Sequence, residues 1–178
     1  MARNIELKAH DPDPARSLEV ALALGATDEG WLQQLDTYFR VQHGRLKLRE
    51  QDDASELIQY ERTDEAIERA SNYRLIPIHD PHGLKEALAT ALGILIVVEK
   101  SRHLLLWRNV RIHLDDVPGL GSFIELEAVA EPDSDLSAEY ENIAELRQAL
   151  AITDERILAV GYSDELLAVG DGRTEKRI

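Results

Sequence analysis

Alternate positions in several short stretches carry ionisable side chains, and the charges are sorted by sign. "RLKLRE" places Arg45, Lys47 and Arg49 two residues apart, with Leu46 and Leu48 between them. "VEKSR" holds Lys100 and Arg102 in one phase, "RIHLD" aligns Arg111, His113 and Asp115, and "IELE" aligns Glu125 and Glu127. In "NIELK", Asn4, Glu6 and Lys8 share a face opposite Ile5 and Leu7. A strand projects successive side chains to opposite faces, so each stretch reads as a strand with one ionic and one apolar face. A single polar face is ordinary on a half-exposed strand. Five of them, with cations on some strands and carboxylates on others, point to a charged interior and an apolar exterior that something else must cover.

Cations at strand spacing suit phosphate oxygens, Arg as a bidentate fork and Lys as a point charge. With Arg62 and Arg74 added, nine inward candidates result: Lys8, Arg45, Lys47, Arg49, Arg62, Arg74, Lys100, Arg102 and Arg111. Against Glu6, Asp115, Glu125 and Glu127 they give an expected interior charge of +5. Desolvating so many like charges costs several kcal/mol per ion, so the interior is expected to hold water and a polyanion. The carboxylates then have a second task. Polyphosphates travel with magnesium or manganese, hard cations that take oxygen ligands, and Glu6, Glu125 and Glu127 are the first candidates to hold one, with Asp115 next. His113 lies in phase, but a lone strand histidine is more often structural. His10, His43, His79, His82 and His103 show no ligand spacing and read as surface residues. Trp107, Tyr38 and Phe39 read as packing residues.

Nine strand-like segments must position these groups, over residues 3–9, 36–41, 44–50, 57–62, 72–79, 95–102, 104–109, 110–116 and 122–129. Tight connections at 42–44, 51–56 and 108–110 imply hairpins, hence a mainly antiparallel sheet. Asp13-Pro14 and Asp80-Pro81 are helix starts, with stops near Gly25 and Gly93. A third helix is expected from about Ser134 to Leu150, and "SDELLA" from Ser163 forms a short last one. The fold class is therefore α+β, a closed antiparallel barrel of about eight strands with helices packed on the outside. No linker or repeat divides the sequence, so residues 1–170 read as one domain, with 171–178 as a frayed tail.

Composition narrows the partners. Of 178 residues, 44% are hydrophobic and 30% charged, as in a folded soluble protein. A net charge of -14 disfavours nucleic acid and anionic membrane surfaces, which need a basic footprint. The absence of cysteine leaves only oxygen or histidine ligands for any metal. The longest apolar run, Ile94 to Val98, is strand-sized, and "MARNIELK" enters patterned sequence at once, so a cytoplasmic location is expected.

"NIELK", "LDTYF", "GRLKLRE", "LIQYER", "VVEKSR", "RIHLDDVPGLGSFIELE" and "GYSDELL", taken in order, resemble the CYTH family, the triphosphate tunnel metalloenzymes. The resemblance implies a closed tunnel of about eight strands and either of two activities, triphosphate hydrolysis or class IV adenylate cyclisation. It carries the ExExK motif onto residues 4–8, with Glu6 and Lys8 as catalytic candidates and Asn4 in place of the first Glu. It also carries the phosphate-binding positions onto Arg45, Lys47, Arg49, Arg62, Lys100, Arg102 and Arg111, and the acidic strand onto Glu125 and Glu127. The implied cofactor is magnesium or manganese. The implied ligand is a small triphosphate such as tripolyphosphate, thiamine triphosphate or ATP. Asn4, which brings no charge, leaves open a non-catalytic polyphosphate- or nucleotide-binding protein. A homodimer is compatible with the sequence, although no motif points to one.

Overall fold

The structure, a computed structural model, describes residues 2–52, 54–61 and 67–174. Eight strands close into an antiparallel barrel: β1 (Ala2–His10), β2 (Thr27–Phe39), β3 (Arg45–Gln51), β4 (Ala54–Glu61), β5 (Arg69–Pro77), β6 (Ile94–Trp107), β7 (Val110–Val117) and β8 (Gly121–Val129). Around the ring they follow the order β1-β5-β4-β3-β2-β6-β7-β8, and β8 returns to β1. Among the described residues four α-helices accompany them: α1 (Pro14–Ala23), α2 (Pro81–Leu92), α3 (Ser137–Ala149) and α4 (Tyr162–Thr174).

The apolar strand faces point outward, which answers where Leu46 and Leu48 go. Ile5 and Leu7 of β1, Ile112 of β7 and Ile124 and Leu126 of β8 are buried against Ala21 of α1 and Ile143 and Leu146 of α3. Each such side chain taken from water stabilises the fold by about 1.5–3 kcal/mol, so the main core lies between barrel and helices, and the interior carries the ionic groups with a few apolar ones such as Ile58 and Leu75. Leu48 is fully buried, whereas Leu46 is half-buried. The two Asp-Pro starts are as the sequence implies: Asp13 accepts from the Arg16 N–H at 3.1 Å and Asp80 from the Gly83 N–H at 2.9 Å. Gly93 ends α2 at φ +79°, a conformation that costs glycine little.

Several boundaries differ from the sequence reading, β4 and β5 each beginning three residues early among them. The expected strands at 95–102 and 104–109 are one strand, β6, which pairs without a break along β7 from Ser101 to Trp107. Strand β2 begins at Thr27, nine residues before the expected start, because its first half, "TDEGWLQQL", lacks alternation and bulges between Asp28 and Gly30. Helix α3 starts at Ser137, since Leu136 adopts φ +71° while its N–H donates to Ser134 Oγ at 2.9 Å. Helix α4 runs to Thr174, into the stretch expected to fray. No described helix is long and apolar enough to cross a membrane.

Candidate active site in the barrel interior

The inward faces line a cavity of about 160 Å³ that opens to solvent. Among the described residues six cations line it, Lys8, Lys47, Arg49, Lys100, Arg102 and Arg111, along with four carboxylates, Glu6, Glu56, Glu125 and Glu127. The ring order sorts them. Lys47 and Arg49 on β3 and Lys100 and Arg102 on β6 flank β2, and that arc lies across the barrel from β8 and β1, which bear Glu125, Glu127 and Glu6.

One carboxylate organises the cation wall, and the sequence reading did not single it out. Asp36 of β2, 1% exposed, accepts from Lys47 Nζ at 2.7 Å and from Arg49 Nε and Nη2, both at 2.8 Å, with Lys100 Nζ at 3.6 Å. Burial opposes its ionisation, but Arg49, Lys47 and Lys100 outweigh burial and hold the carboxyl well below the usual range. Lys100 fares differently. Burial, then repulsion from Arg102, pushes its pKa well below the ordinary lysine value despite Asp36. A carboxylate centred in a strand is unusual. That oddity, together with the surplus of like charge the sequence implies, is the signal that could have found it.

Asp115, expected as a metal ligand, is instead a counter-ion. It receives Arg102 Nε at 2.7 Å and Nη2 at 2.6 Å, and the Tyr162 hydroxyl donates to it at 2.8 Å. It lies behind Arg102 and outside the cavity lining, so its lone pairs are already engaged. Tyr162, the first residue of α4, joins the lining: its ring packs on Phe123 at 4.9 Å and lies 3.7 Å from Lys8 Nζ. Burial, then Asp115 and Glu125, raises the phenol pKa well above the ordinary tyrosine value.

The opposite wall is less tied. Glu125 Oε2 accepts from Lys8 Nζ at 3.0 Å and from Arg102 Nη2 at 2.9 Å. Burial opposes its ionisation, but Lys8, then His113 and Arg102, keep its carboxyl well below the usual range. Glu127 accepts from the Asn4 amide and, at 3.4 Å, from Arg111 Nη1. Glu6 and Glu127 are direct partners across β1 and β8. His113 is buried within 3.9 Å of Glu125 Oε2, and burial, then Arg102, lowers its pKa.

Three expected phosphate contacts fall away or aside. Arg74 points outward beside Gln59, because the inward residues of β5 are Ser71, Tyr73 and Leu75. Arg45, at the end of β3, lines a separate groove and pairs with Asp164 of α4 at 3.1 Å. Arg62 lies outside the described residues. The expected charge of +5 is not reached among the described residues: with Asp36 and Asp115 immediately behind the lining, six cations meet six carboxylates. His103 is also no surface residue. It is buried under Trp31, 4.6 Å between ring centroids, with Nε2 2.7 Å from Asp28 Oδ1.

Among the described residues no three His, Asp or Glu side chains converge as a preformed metal cage. The donor set still fits a hard divalent cation. Glu6 and Glu127 offer oxygen on adjacent strands, and the Asn4 carbonyl oxygen beside them is buried without a hydrogen-bond partner. Magnesium commonly takes one or two carboxylates and completes its shell with water and phosphate oxygens, so an all-protein cage is not required.

A closed antiparallel barrel with an ionic interior and helices outside defines a tunnel protein, and its sequence places it more narrowly. Residues 2–162 match the model of the CYTH domain, and the chain belongs to that family. No curated protein matches the chain by sequence. Among solved structures, a protein of Pyrococcus horikoshii superposes with a TM-score of 0.79 at 24% identity, over 90% of this chain and 98% of that one. A Vibrio parahaemolyticus protein provisionally assigned as an adenylate cyclase gives 0.72 at 19% identity, over 92% and 97%. A Hippeastrum protein, described as an adenylyl cyclase candidate with a dominant triphosphatase activity, gives 0.60 at 14%, over 90% and 91%. At such identities these likenesses establish the common fold.

Proposed function

We propose that this chain is a divalent-metal-dependent enzyme that grips a triphosphate inside the barrel and hydrolyses it. The observation that carries the reading is the opposition of two walls: Lys47, Arg49, Lys100 and Arg102 on one side, Glu6, Glu125 and Glu127 on the other. Asp36 fixes the cations before any ligand arrives, so their grip on phosphate oxygens requires little reorganisation as charge develops in the transition state. A magnesium or manganese ion held by Glu6 and Glu127, with Glu125 beside them, would neutralise carboxylate and phosphate charge and orient the chain. Arg111 and Lys8 extend the clamp on the carboxylate side. Lys8 already donates to Glu125 and faces the Tyr162 ring, so we assign it phosphate contact, and we assign orientation of the attacking water to Glu6.

The charge of the site has a consequence for binding. A triphosphate adds several negative charges to an interior whose described cations are already matched by carboxylates, so metal and triphosphate are expected to bind as a coupled pair. The test incubates the protein with tripolyphosphate, thiamine triphosphate and ATP in turn, with magnesium, with manganese and with EDTA. Metal-dependent release of phosphate supports hydrolysis. Cyclic AMP from ATP supports the alternative, a class IV-type cyclase, which the same clamp can serve because phosphoryl transfer is mainly positioning and electrostatics. Tight binding with neither product favours the polyphosphate-binding reading that Asn4 permits, and no binding at all removes the proposal. Glu127→Gln is expected to lower turnover roughly 100-fold while the far-ultraviolet circular dichroism stays unchanged.

A further inference from the structure

We propose that Tyr162 is a positioning residue of this site, and that through Asp115 it sets the guanidinium of Arg102 toward the cavity. The inference rests on the triphosphate reading above and adds to it a residue from outside the barrel strands. Tyr162 is 4% exposed and packs with Phe123, Tyr38, Val98 and Val117, surroundings in which a phenylalanine would bury equally well. A buried hydroxyl costs free energy unless it is hydrogen-bonded, so one kept there needs a partner. That partner is Asp115 Oδ2, at 2.8 Å.

Asp115 is 2% exposed and, as a carboxylate, has more lone pairs than Arg102 fills. Arg102 gives Nε to Oδ1 at 2.7 Å and Nη2 to Oδ2 at 2.6 Å, and the same Nη2 also donates to Glu125 Oε2 at 2.9 Å. Two carboxylates thus share one nitrogen. The Tyr162 hydroxyl supplies Oδ2 with a second donor and weakens its claim on that nitrogen, so the guanidinium stays balanced between Asp115 and Glu125. Because the group is planar, these contacts fix its orientation, and Nη1, outside all three, is the nitrogen it can offer to a phosphate oxygen. Tyr162 is itself held in place at the start of α4. The N–H groups of Asp164 and Glu165 both donate to the Gly161 carbonyl at 3.1 Å, and the Gly161 N–H donates to Asp164 Oδ2 at 3.0 Å. Lys8 Nζ meets only the face of the ring, so hydroxyl and ring have separable tasks.

The test measures tripolyphosphate affinity by calorimetric titration with magnesium present, and stability in urea beside it. Tyr162→Phe keeps the ring against Lys8 and Phe123 and removes only the hydroxyl. It is expected to weaken tripolyphosphate binding roughly tenfold, the scale of one hydrogen bond to a charged group. In an Arg102→Lys background, which keeps the charge but has no guanidinium plane to set, the same change is expected to alter affinity by less than about twofold. Asp115→Asn supplies a second background with the same expectation, since it removes the carboxylate through which the hydroxyl acts. Unaltered affinity in Tyr162→Phe overturns the inference even where stability falls, because packing alone would give that result. An equal loss in the wild-type and the altered backgrounds overturns it too, because Tyr162 would then act without Arg102. Failure of the hydrolytic reading appears separately, as absence of turnover by the wild-type protein, and the affinities then still decide the inference. Absence of tripolyphosphate binding by the wild-type protein removes both.

Discussion

The two walls of the barrel interior use carboxylates in opposite ways. On the β3–β2–β6 side Asp36 is enclosed by Lys47, Arg49 and Lys100 and takes no place in the lining. On the β8–β1 side Glu127 lines the cavity and is held by an amide and a longer contact to Arg111. The first arrangement spends an acid on keeping cations in place, and the second keeps an acid available. Charge sign alone does not separate these roles. What separates them is whether both carboxylate oxygens are closely held by cations, and by that measure Asp115, held by Arg102 through both oxygens and by Tyr162, belongs with Asp36, and Glu125, gripped by Lys8 and Arg102 through Oε2, stands between.

The largest expected effect follows from breaking the enclosed side. Asp36→Asn keeps the shape and removes the charge, leaving Lys47, Arg49 and Lys100 crowded without compensation. Loss of one partner of a buried ionic cluster costs about 3–5 kcal/mol. Urea denaturation near neutral pH is expected to show a loss of that size; a change under about 1 kcal/mol would remove Asp36 from its organising role. The pH dependence has a definite sign. Because the folded-state pKa of Asp36 lies well below the unfolded one, its stabilisation is fully present above the unfolded value of about 4 and disappears as pH falls through the folded value. The gap between wild type and Asp36→Asn should therefore hold at neutral pH and narrow only in acid.

How much of this was legible in the sequence depends on whether a property belongs to one strand or to two. Alternation within "RLKLRE" or "IELE" fixes which residues share a face, and the apolar partners Leu48 and Leu126 being buried outside the barrel follows directly. The phase of β5 is not legible from its residue types: "NYRLI" puts Tyr73 and Leu75 on the inward face with Arg74 outward, the reverse of the sorting that holds elsewhere. Pairing between strands is not periodic and is not written in any single stretch. Asp115 looked like a ligand because it shares phase with Arg111 and His113, but Arg102, its direct partner on β6, engages both of its oxygens. Asp36 carries no local mark because its partners lie on β3 and β6, at sequence distances that no local pattern reports.

A smaller effect of opposite sign sharpens the comparison. Lys100 is the member of the cation wall whose charge is poorly supported, since burial and Arg102 outweigh Asp36. Folding at neutral pH therefore works against its ammonium form, and stability should rise as pH climbs from the depressed folded value toward the ordinary lysine value of about 10.4. Lys100→Met removes that strain and leaves Asp36 with Lys47 and Arg49. It is expected to stabilise the protein by about 1 kcal/mol at pH 7 and to flatten the alkaline rise, while weakening tripolyphosphate binding roughly tenfold. Denaturation at pH 7 and pH 9 with calorimetric titration checks both halves. Greater stability without weaker binding would mean that Lys100 is mere ballast in the wall.

The smallest effect marks where the cation wall ends. Arg74 has the residue type of the wall but lies outside it, exposed beside Gln59 at a contact of 3.4 Å. An exposed contact of that kind contributes little, so Arg74→Ala should alter stability by less than about 0.5 kcal/mol. Because the side chain lies on the far side of β5 from the lining residue Tyr73, kcat/KM for any turned-over triphosphate should also stay within about twofold. A loss comparable to that of Lys100→Met would require Arg74 to reach the cavity, and β5 would then have to pair one residue out of register with β4. That slip would turn Tyr73 and Leu75 outward together. The same measurement on Arg74 therefore also guards the inward placement of Tyr73 and Leu75.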